Sequence, residues 1–173
     1  MREIAAQLGA DVPACLLARP AWVGGIGEET RPAAGLPRTG IVLANPRQAL
    51  PTPAVFQARR GAFSVPARLA AMPRDAVAFA AELAVRRNDL TDAALTLVPA
   101  IAAVLRRLAD LPGALLARMS GSGATCFALF ADRATALAAA GALATAEPGW
   151  WVAGGALLPD QPAIDEVVSS GLG

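Results

Sequence analysis

Histidine, lysine and tyrosine are absent from this 173-residue sequence. A site built from this chain alone therefore has no imidazole base, no amine nucleophile and no phenolic acid, which excludes many catalytic mechanisms. Carboxylates, hydroxyls, thiols, guanidinium groups and backbone N–H groups remain. All 15 basic residues are arginines, and together with the abundant alanine they indicate the codon bias of a GC-rich bacterial genome.

Cysteine is scarce as well, with only Cys15 and Cys126 present. Both lie in apolar segments, which favours two small buried side chains in a reducing compartment, although a disulfide between them stays open. The formal net charge of +1, with arginines scattered along the chain, predicts no nucleic-acid partner. The N-terminal residues lack the apolar core of a signal peptide and no apolar run is long enough to cross a bilayer. We therefore expect a cytoplasmic location and no membrane partner.

The hydrophobic pattern from residue 40 onward predicts a mixed α/β (α+β) domain. Its predicted order is strand, helices, strand, strand, helix, strand, which is the split βαβ arrangement of a ferredoxin-like fold. Asp132 is predicted to cap the last helix, and Pro99 to kink or restart the helical segment before it. The predicted strands cover residues 41–44, 114–119, 125–130 and 150–157, and the predicted helices cover about residues 73–87, 90–108 and 132–146.

Two segments stand outside this pattern. Residues 47–65 contain recurring prolines and are predicted to form an extended loop with Phe56 as its one large anchor. Residues 1–36 are predicted to be the remnant of a preceding domain, and residues 37–173 to form a second domain. The remnant leaves an apolar face uncovered, which includes Trp22, so we expect the isolated chain to aggregate or to form a homodimer through it.

The segment Ser120-Gly-Ser-Gly-Ala124 has two interpretations. Its small residues can turn backbone N–H groups toward an anion, as in a phosphate cradle. The same residues can simply form a hairpin turn, since glycine adopts positive φ without strain. The segment is not a Walker A loop, because no Lys-Ser/Thr and no helix follow it. The apolar strand that follows favours a rigid loop that a ligand can approach.

Asp11, within Gly9-Ala-Asp-Val-Pro13, is the second candidate. Taken alone, it is typical of a capping residue ahead of a turn that contains proline. Combined with the glycine-rich segment, it is better interpreted as a carboxylate that takes the proton of a substrate hydroxyl.

The order of six motifs resembles that of the 4-diphosphocytidyl-2-C-methyl-D-erythritol kinases, a family of the GHMP kinase superfamily. The Gly-Ala-Asp-Val-Pro and Ser-Gly-Ser-Gly-Ala segments point to the superfamily, and the Pro-Thr-Pro…Phe segment narrows the resemblance to this family. The resemblance covers nearly the whole chain. The motifs are Leu8-Gly-Ala-Asp-Val-Pro13, Gly25-Ile-Gly-Glu28, Asn45-Pro46, Leu50-Pro-Thr-Pro-Ala-Val-Phe56, Asn88-Asp-Leu90 and Met119-Ser-Gly-Ser-Gly-Ala-Thr-Cys-Phe127.

This resemblance implies the C-terminal GHMP kinase domain fold and a kinase of the non-mevalonate route to isoprenoids. Such an enzyme uses ATP and Mg²⁺ to phosphorylate the 2-hydroxyl of a cytidine diphosphate sugar-alcohol. The resemblance makes Asp11 the catalytic carboxylate, Phe56 the ring that stacks on cytosine, and Thr52 and Pro53 the wall of the substrate pocket. No residue is assigned as a metal ligand. The residues placed near the transferred phosphoryl group are Gly121, Ser122, Gly123 and Thr125.

The chain departs from the family pattern in one respect. The family's ATP-binding loop, of the type Pro-x-Gly-Gly-Gly-Ser-Ser-Asn, and its lysine, histidine and tyrosine are not among the 173 residues. We therefore expect this chain to be the C-terminal part of such a kinase, with phosphoryl transfer dependent on the missing segment. Two alternatives stay open: a non-catalytic ferredoxin-like module that binds a small molecule, and another GHMP kinase, of the homoserine or mevalonate type.

Overall fold

The computed structural model describes Cys15 and residues 20–25, 29–33 and 35–158. Asp11 and the rest of its motif lie outside the described residues. The described residues fall into two compact units. One unit is Pro37–Leu157, and the other contains the described residues before Pro37 together with Leu158.

The smaller unit contains a two-stranded antiparallel sheet of β1 (Ala21–Gly24) and β2 (Glu29–Pro32). The strand-like segments predicted here are confirmed, and they pair with each other. Trp22 on β1 is partly buried, so it is not a fully uncovered apolar surface. The prediction that both cysteines are buried is wrong for one of them, since Cys15 is exposed and both thiols are free.

The larger unit is built on a four-stranded sheet in the order β4-β5-β3-β6, with every neighbouring pair antiparallel. β5 and β3 are the two inner strands, and β4 and β6 are the edge strands. Because β5 lies between β3 and β4, these three strands form the split βαβ unit that the sequence predicts. The ferredoxin-like fold is therefore confirmed. The strands are β3 (Thr39–Asn45), β4 (Leu116–Met119), β5 (Cys126–Phe130) and β6 (Trp151–Leu157).

Five helices accompany this sheet: α1 (Thr52–Ala58), α2 (Ala76–Ala84), α3 (Thr91–Leu97), α4 (Ala100–Ala109) and α5 (Arg133–Ala146). Pro99 is the N-cap residue of α4, so it restarts the helical segment rather than kinking it. Alternate residues of the strands point to α4 and α5 and form one apolar core with them. This core includes Val42, Phe130, Ile101, Val104 and Leu143. Among the described residues, no helix is both long enough and apolar enough to cross a membrane.

The prediction of an extended loop over residues 47–65 is wrong at its centre, where α1 forms. Pro53 is compatible with α1 because it lies in the first helical turn, where its missing N–H would have no intrahelical acceptor. Phe56 is not the anchor of this segment, since 52% of it is exposed. Val55 is fully buried instead and packs in the core.

Close packing of α5 on the sheet depends on two glycines. A Cβ at Gly40 would lie 2.0 Å from the carbonyl oxygen of Asp132, and a Cβ at Gly154 would lie 2.8 Å from the Cβ of Ala140. Distances this short are not tolerated by real side chains. Small residues on both surfaces therefore let the backbones of α5, β3 and β6 approach one another.

The N-cap of α5 gives a testable pH dependence. Asp132 accepts a 2.8 Å hydrogen bond from the Thr135 N–H, and this bond lowers the pKa of Asp132 from its usual 3.8. A lowered folded-state pKa means that this stabilisation is present above pH 3.8 and is lost as pH falls through the folded pKa. We expect Asp132→Ala to lower the melting temperature at neutral pH, with a smaller difference from wild type in acid.

Circular dichroism melting curves of both proteins across this pH range measure that difference. Asp132→Asn is the matched variant, because its side-chain oxygen still accepts the hydrogen bond but does not titrate. A wild-type advantage over Asp132→Ala that stays constant into acid would contradict the prediction.

Candidate functional site

The hairpin that joins β4 and β5, residues 120–125, is called here the glycine loop. It is closed by hydrogen bonds of 2.9 Å from the Ser120 N–H to the Thr125 carbonyl and from the Gly123 N–H to the Ser120 carbonyl. Gly121 and Gly123 have φ values of 52° and 88°. These left-handed conformations explain why the loop contains glycines, and they confirm the hairpin-turn interpretation.

The underside of the glycine loop packs tightly on the core. A Cβ at Gly123 would lie 2.9 Å from the Met119 sulfur and 3.2 Å from a Leu50 methyl carbon. A Cβ at Gly121 would meet nothing within 4 Å. The loop is therefore anchored at Gly123 and open at Gly121.

Side chains from three other segments hold the glycine loop in place. Asn45, the last residue of β3, donates a 2.9 Å hydrogen bond to the Thr125 hydroxyl. Thr52, the first residue of α1, shares a 2.8 Å hydrogen bond with the Ser122 hydroxyl. Asn88, between α2 and α3, contributes the third contact.

Asn88 makes the largest number of these contacts. Its amide group donates to the carbonyl oxygens of Met119, at 3.1 Å, and Gly121, at 2.7 Å. Its own carbonyl oxygen accepts a 3.0 Å hydrogen bond from the Leu90 N–H. Because both ends of the amide are used, the side chain has one orientation, and it fixes the start of the glycine loop.

Backbone donors of the glycine loop remain available. Within the described part of the chain, the N–H groups of Gly121 and Ser122 have no hydrogen-bond acceptor, and these two residues are exposed and partly exposed. Successive free N–H groups in a turn suit an anion, and the Ser122 and Thr52 hydroxyls add polar groups beside them. The arrangement can therefore receive a phosphoryl oxygen, and a nucleotide phosphate fits it chemically.

The structure brings together two groups of residues that the sequence assigned to different tasks. Thr52 and Pro53 lie in the first turn of α1, and the Thr52 hydroxyl reaches the glycine loop at Ser122. Phe56 lies on the same helix with about half of its surface exposed, so its ring is available to a ligand. Asp11 is outside the described residues, and its position relative to this site stays a prediction.

Two other titratable groups near the site have structural roles. Hydrogen bonds from the Ser64 hydroxyl and N–H, together with Arg87, lower the pKa of Asp89. Burial raises the pKa of the Cys126 thiol to about 12, so this thiol is not a nucleophile at neutral pH. In the described ranges, no group of three or more Asp, Glu, His or Cys side chains is arranged to hold a metal ion.

Sequence reasoning did not give Asn45 and Asn88 a role. Each was noticed only as part of a motif, Asn45 as a turn signal before proline and Asn88 in Asn-Asp-Leu. The sequence did contain a useful signal. An asparagine that follows a strand or a helix can form hydrogen bonds with the backbone groups of a neighbouring loop. Which loop it satisfies becomes visible only in three dimensions.

Comparison with known proteins agrees with this fold. Residues 69–148 match the family described as GHMP kinases C terminal. A homoserine kinase from Cytophaga hutchinsonii superposes with a TM-score of 0.61 at 16% identity, over 86% of this chain and 51% of that one. At this identity the likeness concerns the fold alone. Residues 69–148 of this chain therefore form a C-terminal domain of the GHMP kinase type.

More similar relatives identify the family within this type. Proteins named 4-diphosphocytidyl-2-C-methyl-D-erythritol kinase are 50% identical over 158 residues in Paramagnetospirillum magneticum and 48% identical over 164 residues in Rhodospirillum rubrum. The matches cover 91% and 95% of this chain. A crystal structure of 4-(cytidine 5'-diphospho)-2C-methyl-D-erythritol kinase superposes with a TM-score of 0.72 at 31% identity, over 92% of this chain and 57% of that one. This chain is a homologue of those kinases, and the family resemblance of its motifs is confirmed.

The matches cover only part of the relatives. The chain spans 55% and 54% of the two bacterial kinases, or about half of their length.

Proposed function

We propose that this chain forms part of a kinase that transfers the γ-phosphoryl group of ATP to the 2-hydroxyl of 4-diphosphocytidyl-2-C-methyl-D-erythritol. The observation that carries the proposal is the 2.8 Å hydrogen bond between Thr52 and Ser122. This bond joins the segment expected to bind the cytidine substrate to the loop expected to lie near the phosphoryl group. Identity of 50% to a kinase of that name, over 91% of the chain, supports the choice of substrate.

In this proposal, the residues of the chain have separate tasks. Asp11 polarises or deprotonates the attacking hydroxyl. The free N–H groups of Gly121 and Ser122 donate to oxygens of the transferring phosphoryl group, where negative charge must be stabilised. Asn45, Thr52 and Asn88 keep those donors in place, which avoids reorganisation of the loop during the reaction.

ATP and Mg²⁺ enter the proposal in different ways. The free N–H groups of the glycine loop support the binding of a phosphate there, and ATP would supply the transferable phosphoryl group. Mg²⁺ enters by the family resemblance alone, and the proposal assigns no residue of this chain as its ligand. The domain boundary after residue 36, a cytoplasmic location and a homodimer remain further parts of the proposal.

Substrate competition tests this assignment. The kinase that contains this chain, together with an ATP-binding segment, is assayed for ADP formation with the cytidine substrate, with homoserine and with mevalonate. We expect turnover of the cytidine substrate alone. Preference for homoserine or mevalonate would overturn the substrate assignment, and saturable cytidine binding without ADP formation would favour the non-catalytic module.

Phe56 provides a residue-level prediction within this proposal. Phe56→Ala is expected to raise KM for the cytidine substrate roughly tenfold, because base stacking on an aromatic ring contributes about 1–3 kcal/mol. The exposed ring contributes little to folding, so the melting temperature should stay near that of wild type. Steady-state kinetics measure the change, and Phe56→Tyr, which keeps the ring, is the matched control. An unchanged KM in Phe56→Ala would remove Phe56 from the substrate site.

A further inference from the structure

A polar cleft is lined in part by Asn88 and Met119 and by no residue of the glycine loop. Its volume is about 380 Å³, within the range of roughly 300–1,000 Å³ that small-molecule sites occupy. Three residues of the edge strand β4, Ala117, Arg118 and Met119, line it, and all of its lining residues belong to the larger unit. Arginine is the dominant charged residue of its wall: Arg86, Arg87 and Arg118 line the cleft, together with a single carboxylate, Asp92.

The three arginines differ in their freedom to bind a ligand. Arg86 is already used, since it donates to the Ala67 carbonyl at 2.6 Å and forms an ion pair with Glu82. Arg87 uses Nε for an ion pair of 2.6 Å with Asp89, which leaves its two terminal nitrogens without a partner in the described part of the chain. Its side chain is 67% exposed.

The guanidinium group of Arg118 has no hydrogen-bond or ion-pair partner among the described residues. It lies on β4, opposite Phe127 of β5, and is partly buried. Burial lowers the pKa of its guanidinium group, which reflects the cost of removing this charge from water. A partly buried guanidinium with no carboxylate beside it is a site where an anionic ligand would form a favourable charge-assisted contact.

The side chains that line the cleft have the chemistry that binds phosphate groups. A guanidinium is a planar fork that can bind two oxygens of one phosphoryl group, and both Arg118 and Arg87 line the cleft. Thr91 also lines the cleft and carries a hydroxyl. The carboxylate of Asp92 offsets one of the positive charges and would repel an anion. An anionic ligand is therefore expected to contact the arginine side of the cleft.

We propose that this arginine cleft is a binding site for the diphosphate group of a small molecule, separate from the glycine loop. Asn88 and Met119 form part of its wall, and Asn88 also donates hydrogen bonds to the carbonyl oxygens of Met119 and Gly121, where the glycine loop begins. An occupant of the cleft would therefore contact the residues that set the loop's position. Any resulting effect on ATP affinity rests on the proposed kinase function, whereas binding in the cleft does not.

Calorimetric titration of the 173-residue chain with inorganic pyrophosphate tests the proposal without reference to kinase activity. We expect saturable binding that Arg118→Gln weakens at least tenfold, because it removes a bidentate charge-assisted contact. Arg118→Lys keeps the charge without the fork and should weaken binding less. Arg133→Gln is the matched control, since Arg133 is exposed at the start of α5 and does not line the cleft.

Several results would overturn the proposal. These are the absence of binding, binding that is unchanged by Arg118→Gln, or binding that Arg133→Gln weakens equally. If Arg118→Gln fails to fold by circular dichroism, Arg87→Gln gives the same test at an exposed position. A parallel titration with methyl diphosphate distinguishes an organic diphosphate from free pyrophosphate, and Arg118-dependent binding of either supports the site.

Discussion

Asp11→Asn, introduced into the proposed kinase, is expected to lower kcat by a factor of about 10² to 10⁴. The substitution keeps the size of the side chain and its ability to accept a hydrogen bond, but it removes the negative charge that attracts the hydroxyl proton. Because the lost interaction develops in the transition state, KM should change much less than kcat. ADP formation under saturating substrate measures the effect.

Two controls make this prediction specific. Asp110→Asn removes a carboxylate from the exposed end of α4, at a position away from the proposed chemistry, and it should leave kcat unchanged. Melting curves of both variants check that folding is retained. Turnover of Asp11→Asn at the wild-type rate would sink the assignment of Asp11 as the catalytic carboxylate.

Gly40→Ala is expected to have the largest effect on stability, a loss of about 3 kcal/mol or more. The added methyl carbon would lie 2.0 Å from the carbonyl oxygen of Asp132 and 2.9 Å from the Cβ of Ala136. The nearest obstacle is backbone at the start of α5 rather than a flexible side chain, so the clash can be relieved only by moving the helix. Urea denaturation of the chain measures the change in unfolding free energy.

Gly155→Ala is the matched control for this substitution. Gly155 lies on β6 opposite Ile41, and a Cβ there would meet nothing within 4 Å. Alanine in this strand should be neutral or stabilising by up to about 1 kcal/mol, because glycine loses more backbone entropy on folding. If the free energy of unfolding of Gly40→Ala equalled that of Gly155→Ala, this result would contradict the close approach of α5 to β3.

The order of strands and helices could be predicted because each element carries its own local signals. Asp132 marks the start of α5, and its side chain accepts the capping hydrogen bond that the sequence predicts. The strands of the ferredoxin-like unit are short apolar runs bounded by glycine, proline or asparagine. These signals depend only on neighbours along the chain, so they can be recognised without knowledge of the tertiary structure.

The errors arise where a local signal has two physical outcomes. Prolines in residues 47–65 indicated a loop, but Pro53 is also well placed in the first turn of a helix, and that helix formed. Size suggested Phe56 as the anchor, whereas the direction of the helix buries the smaller Val55. Burial on a short helix is decided by its orientation on the core, which composition does not contain.

Long-range juxtapositions were out of reach for a different reason. Arg87 and Arg118 are far apart in the sequence, and only the docking of the α2–α3 connection against the edge strand β4 brings them to one cleft. In the sequence, the arginines therefore appeared only as charges scattered along the chain. Asn88 is a comparable case, since its partners Met119 and Gly121 lie on a distant hairpin.

The glycine and alanine contacts beneath α5 also bear on how this sequence can drift. A GC-rich genome supplies alanine and glycine by mutation everywhere, but only some positions need them for packing. Gly40, Gly154, Ala136 and Ala140 lie where backbone meets backbone, so their codons should resist a change in genomic base composition. Ala142 and Ala144 are exposed on the same helix, and their codons are free to follow the mutational bias.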